Sequence, residues 1–314
     1  RAGRRAGADS VMALAEHRYE SELVTRRGGP AAPALLERIS RARAQRGDQQ
    51  GAMAALRAAL NEPAALTLQP RLVLALANRA LDQGRPDTAL VYANWAQSGF
   101  EGRARPEALL LAAQAWEIRG TPDSALVLYQ RFLDSYSQAP EASAKARFRR
   151  GMILEGLSRW EQARTEYRAL AAAQPTHPLA FASLLRIVNH HASRGENDLA
   201  RAEGRRAVET LDQILATERD EGISLDARVT RARLLAAIGA DGEACDTFED
   251  VWKRYESTPE GAAAALEAAV LAERALHDPA RAVQIYQGVA ARVADPAARQ
   301  AAHAALIRLG GTHR

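Results

Sequence analysis

Seven alanines recur down this chain at nearly constant spacing: Ala52, Ala89, Ala125, Ala163, Ala207, Ala244 and Ala282, at intervals of 37, 36, 38, 44, 37 and 38 residues. Four are followed four residues later by an aromatic (Tyr129, Tyr167, Phe248, Tyr286), the others by Leu56, Ala93 and Leu211. A fixed period of this size is the signature of a stacked helical repeat, and it outranks local signals. The 314 residues therefore need not divide into two globular domains, because the core of a solenoid grows in one dimension. Hydrophobic residues make up 47% of the chain but aromatics only 5%, which suits close helix–helix contact better than a thick core. No run approaches the roughly 18–20 apolar residues of a membrane span.

A second signal shares the phase of the first. Breaks recur a few residues before the alanines, as Arg46-Gly47-Asp48, Gln83-Gly84-Arg85-Pro86, Arg119-Gly120-Thr121-Pro122, Leu157-Ser158-Arg159, Ile238-Gly239-Ala240-Asp241 and His277-Asp278-Pro279. Glycine there ends one helix, and Asp, Ser or Pro opens the next. Ala207 departs from the pattern, with the glycine of its break, Gly195, twelve residues upstream. The segment 195–206 thus reads as an insertion of about seven residues, and a longer or kinked helix is expected there. Gly99-Phe100-Glu101-Gly102-Arg103 reads as a glycine-rich loop that lacks the terminal proline found after other repeats.

The sharpest repeat spans Ala142 to Pro175, with Gly151, Leu154, Ala163, Tyr167 and Pro175 in register. This resembles the tetratricopeptide repeat (TPR), which runs Trp-x2-Leu-Gly-x2-Tyr, then Ala-x3-Phe, then Pro. The resemblance implies two antiparallel helices, A and B, per repeat, with close approach at Gly151 and Ala163, Tyr167 wedged toward the next repeat, and Pro175 starting the next A helix. Arg147 and Arg150 stand where the family has Trp and Leu, so helix A is expected to pack less fully. Repeats three, four, six and seven match well, whereas one, two and five are worn. The expected fold is all-α, an α-solenoid (right-handed superhelix) of about seven TPR-like pairs over 33–294. An Arg-rich segment with a capping helix occupies 1–32, and a capping helix and tail occupy 295–314. Ser10 is expected to cap a first helix carrying Met12, Ala15, Tyr19 and Leu23, ended by Gly28-Gly29-Pro30. Pro296 opens a last helix lined by Ala298, Ala302, Ala305, Leu306 and Leu309, with Arg299, Gln300, His303 and Arg308 opposite.

The formal charge is +4, with 42 Lys and Arg against 38 acids. Only Lys145 and Lys253 are lysine, an arginine bias expected of GC-rich coding. Because the signs are interspersed, the surface reads as solvated and mixed rather than as a nucleic-acid footprint. Only Arg1 to Arg46 carries an excess, 10 Arg against 5 acids. The single cysteine, Cys245, allows no internal disulfide and reads as a small buried hydrophobe. Asn189-His190-His191, with His177 upstream, forms the densest polar group. Adjacent histidines diverge by about 100 degrees on a helix, so core or surface roles are favoured over metal ligation. There is no phosphate loop, Gly-x-Ser-x-Gly or His-Glu-x-x-His. Neither catalytic residues, cofactor nor metal are expected, and the chain reads as no enzyme. Its start at Arg1 rather than Met is a weak hint of export.

In TPR arrays the A helices line a groove, and the resemblance places Glu107, Leu110, Gln114 and Glu117 there, with Lys145, Phe148, Met152 and Glu155 from the next repeat. Asp226, Val229 and Arg233 follow from the sixth. The candidate site is Gln114, Glu117, Lys145, Phe148, Met152, Glu155 and Arg233. Its mixture suits a protein or peptide partner, but lacks the Lys/Asn pattern of the clamp that grips chaperone C-termini. The run Lys145-Ala146-Arg147-Phe148-Arg149-Arg150 reads as a solvated helix start, with Glu141 or Glu155 as salt-bridge partner, ahead of a cationic rung for an acidic terminus. The text Tyr129-Gln-Arg-Phe-Leu-Asp-Ser-Tyr136, then Pro140-Glu-Ala-Ser-Ala, looks like TPR proteins of bacterial envelopes, which implies an extracytoplasmic location. The functional expectation is a non-enzymatic scaffold. The alternative is head-to-tail self-assembly into a filament or tube, since the two ends of a solenoid are unlike.

Overall fold

The computed structural model describes residues 2–99 and 105–311, which hold sixteen α-helices, one short 3-10 turn and no strand. The expected loop at 99–103 falls mainly on residues outside that description. A leading helix α1 (Ala2–Arg26) precedes seven antiparallel pairs. These are α2 (Ala32–Gln45) with α3 (Gln49–Asn61), α4 (Gln69–Asp82) with α5 (Pro86–Ser98), and α6 (Arg105–Ile118) with α7 (Pro122–Tyr136). Then come α8 (Pro140–Gly156) with α9 (Trp160–Ala173) and α10 (Pro178–Ser193) with α11 (Asn197–Thr217). The pairs α12 (Glu221–Ala237) with α13 (Asp241–Arg254) and α14 (Pro259–Arg274) with α15 (Pro279–Arg292) follow, and α16 (Pro296–Gly311) closes the chain. The chain divides within α8 into two compact parts, residues 1–146 and 147–314. Consecutive helices pack on each other within each part.

Seven residues join helix A to helix B in a left-handed conformation: Gly47, Gly84, Gly120, Ser158, Gly195, Gly239 and His277. Each lies five residues before a fully buried alanine: Ala52, Ala89, Ala125, Ala163, Ala200, Ala244 or Ala282. Glycine takes this conformation without a Cβ penalty, which is why five of the seven are glycine. Ala200 is the correction. The repeat that begins at Gly195 is phased on Ala200, not Ala207, so its interval from Ala163 is an ordinary 37 residues. The seven extra residues lie inside α11, whose 21 residues exceed the 13 to 15 of every other B helix. Seven residues are close to two helical turns, so Ala200, Ala207 and Leu211 stay on one buried face. The expected longer helix is there, as one continuous α-helical run.

The buried alanines set spacing more than energy. Tyr129, Phe132, Tyr167, Phe248 and Tyr286 carry the burial, at roughly 1.5–3 kcal/mol for each large side chain. Close approach is explicit at Gly151, where a Cβ would come 2.4 Å from the Tyr167 ring. Tyr167 therefore packs on helix A of its own repeat. Arg147 and Arg150, in the places of Trp and Leu, reach Glu166 on α9 at 3.5 and 2.9 Å, replacing an apolar contact by an ion pair.

Arginines also link successive repeats. Arg71–Glu37, Arg168–Glu203, Arg233–Glu267, Arg281–Asp246 and Arg308–Glu273 each join residues 34 or 35 apart. Half-exposed pairs of this kind contribute about 0–1 kcal/mol apiece, so they pin the register rather than hold the fold. Glu37 is the exception in burial. Burial alone would raise its carboxyl, but hydrogen bonds from Arg71 and Arg41 hold it below the usual carboxylate range.

The ends differ in detail from expectation. Helix α1 starts at Ala2, so Ser10 is interior and not a cap. Tyr19 and Leu23 pack on the core as expected. The helix is also held by Arg43, which bonds Glu16 at 2.8 Å and Glu20 at 2.7 Å. Pro178, rather than Pro175, opens α10, because α9 ends at Ala173 and residues 174–177 form a turn. On α16, Ala298, Ala302, Ala305 and Leu309 are buried while Arg299, Gln300, His303 and Arg308 are exposed.

Ser158 and His277 occupy the left-handed position at φ 59° and 53°, a strain of about 1 kcal/mol for a side-chain-bearing residue. Replacing either by Gly should slow amide exchange in its turn several-fold. Unchanged or faster exchange would show the turn to be unstrained. Gly151→Ala should cost about 1–3 kcal/mol, read as a fall in the urea midpoint.

Candidate partner-binding face

On α8, Phe148, Met152 and Glu155 follow one another at i, i+4 and i+7 and so share a face. The Phe148 ring lies 5.9 Å from Tyr167 and 5.7 Å from the Arg186 guanidinium carbon of α10. Glu155 accepts the Tyr167 hydroxyl at 2.8 Å and Arg186 at 2.8 Å. The Tyr167 hydroxyl is pushed well above its usual range by burial and then by the Glu155 charge. Phe148, Glu155, Tyr167 and Arg186 are therefore one cluster, and the Glu155 charge is already neutralised.

The other candidate residues are placed separately. Gln114 and Glu117 are half-buried on α6, where Glu117 accepts the Tyr129 hydroxyl at 3.3 Å. Exposed Lys145 bonds Glu141 of its own helix at 2.8 Å. With Arg147 and Arg150 turned to Glu166, the basic run presents paired charges rather than a row of open cations. Arg233 on α12 is engaged by Glu267 of α14 through two nitrogens. It does not join the α8 cluster.

The left-handed turn residues expose a pattern that sequence reading found only in part. Ten residues before five of the seven stands an apolar side chain: Leu74 and Leu110 in the first part, and Phe148, Leu185 and Val229 in the second, with Glu37 and Glu267 at the two outer repeats. Leu74 is buried and the other four are half-buried. Leu185 went unread because its repeat was phased on Ala207. Counting from Gly195 finds it.

The groups outside this face carry packing roles. His177 caps α10 by accepting the Leu179 amide at 3.0 Å, so it lies at the helix mouth and not along it. His190 stacks flat on Trp160 at 3.4 Å, and burial holds its imidazole below the usual range, helped by His191 and Arg194. His191 is buried against Glu196 at 2.6 Å. Among the described residues no three metal-type side chains converge. A cleft of about 1040 Å³ between α13 and α15 is edged by Arg281 and Arg292, which are paired with Asp246 and Glu256. Cys245 is buried, with its sulfur 3.5 Å from the Ala268 carbonyl, and burial pushes its thiol up to about 11.

The sequence matches no protein-family model and no curated protein. Solved structures match the fold. Yeast Tom70 is similar at 14% identity and TM-score 0.58, over 98% of this chain and 60% of that one. A signal-transduction ATPase with a tetratricopeptide repeat sensor from Pyrococcus horikoshii is similar at 14% and 0.52, over 82% and 42%. The apo quorum sensor NprR from B. thuringiensis is similar at 13% and 0.50, over 90% and 87%. The chain thus spans under two thirds of the length of the first two. The class is clear: this is an all-helical TPR-like α-solenoid. Among its described residues no helix is long and apolar enough to cross a membrane.

The buried, weakly acidic Cys245 should react with a thiol reagent at pH 8 at least about a hundredfold more slowly in the native chain than in urea, since the thiolate is the nucleophile. Comparable rates would show α13 to be open.

Proposed function

We propose that this chain is a non-enzymatic scaffold that holds a protein or peptide partner on its A-helix face. The observation that carries this reading is the row Phe148, Leu185 and Val229, one half-buried apolar residue from each of three successive A helices. Around it the charges cancel in pairs, Glu155 with Arg186 and Arg233 with Glu267. Such a surface suits a segment with an apolar side better than an acidic terminus, because an incoming carboxylate would have to displace an existing partner. Met152 completes this face as an adaptable contact, and Gln114, Glu117 and Lys145 are proposed as polar contacts on the A helices of the first part by themselves. The arginines serve repeat-to-repeat pairing, which supports reading them without nucleic acid. An envelope location rests on the resemblance of the Tyr129–Tyr136 text and stays part of the proposal.

Affinity capture from the source organism tests the face. Leu185→Asp with Val229→Asp should lose the bands that the native chain retains, at unchanged helicity by circular dichroism. Identical capture would place binding elsewhere.

Self-association is a second reading, favoured by α1, where Val11 and Leu14, neighbours at i and i+3, are 60% and 72% exposed. Exposed apolar groups clustered on one helix mark contact surfaces. Light scattering should then show mass rising with concentration, and Leu14→Asp should abolish the rise. A constant monomer mass at high concentration would exclude it.

A further inference from the structure

The long helix α11 changes how its neighbours meet it. Because α12 runs back antiparallel from the end of α11, seven extra residues start α12 about 10 Å further along the axis. The end of α12 then meets the middle of α11 rather than its beginning. Ile238, the residue before the turn glycine, packs on Gly204, where a Cβ would come within 2.3 Å of its methyl. Gly204 is seven residues into the helix, which equals the length of the insertion.

The first turns of α11 therefore stand beyond the α12–α13 turn, flanked by a cleft of about 820 Å³. Its floor is apolar, with Val208 and Ile238 half-buried. Its edges are charged and polarised along the helix. Exposed Arg201 and Arg205 lie toward the start of α11, and exposed Glu209 and Glu243 toward the other end. Arg201 is held only loosely, 3.8 Å from an exposed Asp198. Asp212, further along the same edge, is already paired with Arg231 at 2.7 Å.

We propose that this step is a docking site for an amphipathic helix of a partner protein, lying parallel to α11 in the place vacated by the slipped B helix. The charge order selects the occupant. Acidic residues in its first turn meet Arg201 and Arg205, an apolar stripe covers Val208 and Ile238, and basic residues in its last turn meet Glu209 and Glu243. Acid at the start and base at the end is also the order that a helix macrodipole favours, so the same charges that dock the segment support its helical form. The site lies on the B-helix side and is independent of the A-helix face proposed above.

Two labelled synthetic peptides of roughly four turns, identical in composition, test it by fluorescence anisotropy against the full chain. One carries Glu in the first turn, a Leu stripe and Lys in the last turn, and the other reverses the charges. The acid-first peptide should bind saturably and about tenfold more tightly, as expected of several partly exposed pairs. Arg201→Glu with Arg205→Glu should invert that preference, Val208→Asp should remove binding of both, and Val229→Asp should leave it unchanged. Both arginines are exposed, so the double variant is expected to fold, and the comparison of the two peptides needs no variant. Equal affinities, absence of saturation, or binding lost in Val229→Asp but kept in Val208→Asp would overturn the proposal.

Discussion

Everything in this chain hangs on one backbone constraint, a left-handed residue placed five positions before a buried alanine. The left-handed residue reverses the chain sharply enough for helix B to lie back on helix A, and the alanine lets the two backbones approach. Where the turn residue is glycine the reversal is free of steric cost. Where it is Ser158 or His277, packing on both sides overrides the local preference. Burial of the aromatics, the pairing of arginines across repeats and the row of apolar residues on the A helices all inherit their spacing from this element.

Much of the fold was legible because the constraint is written in residue types. Alanine and glycine at fixed offsets have few other reasons to recur every 36 to 38 residues. What misled was alanine abundance. In α11 both Ala200 and Ala207 lie on the buried face, two turns apart, and periodicity alone cannot say which opens the repeat. The turn glycine decides it, since Gly195 sits five residues before Ala200. Choosing Ala207 moved the insertion to the wrong side of the landmark and hid Leu185. The capping role of His177 and the interior place of Ser10 were missed for a related reason, because helix ends are set by hydrogen bonds that spacing does not encode.

The candidate face was half legible. Phe148, Met152 and Glu155 share a face as their spacing requires, but which charges stay open is decided by neighbours one repeat away in sequence. Glu155 with Arg186, and Arg233 with Glu267, are pairs that no local reading identifies. They change the chemical character of the surface from ionic to largely apolar with a neutralised rim. The proposed partner follows from that change.

The central claim is that α11 carries two extra turns and so shifts the following helix along its axis. The direct measurement is a nuclear Overhauser contact from the methyl groups of Ile238, in a deuterated, methyl-labelled sample. The account predicts contacts to the backbone amide proton of Gly204. Contacts instead to Asn197, seven residues nearer the start of α11, would contradict it, since they would mean that the helices meet in ordinary register.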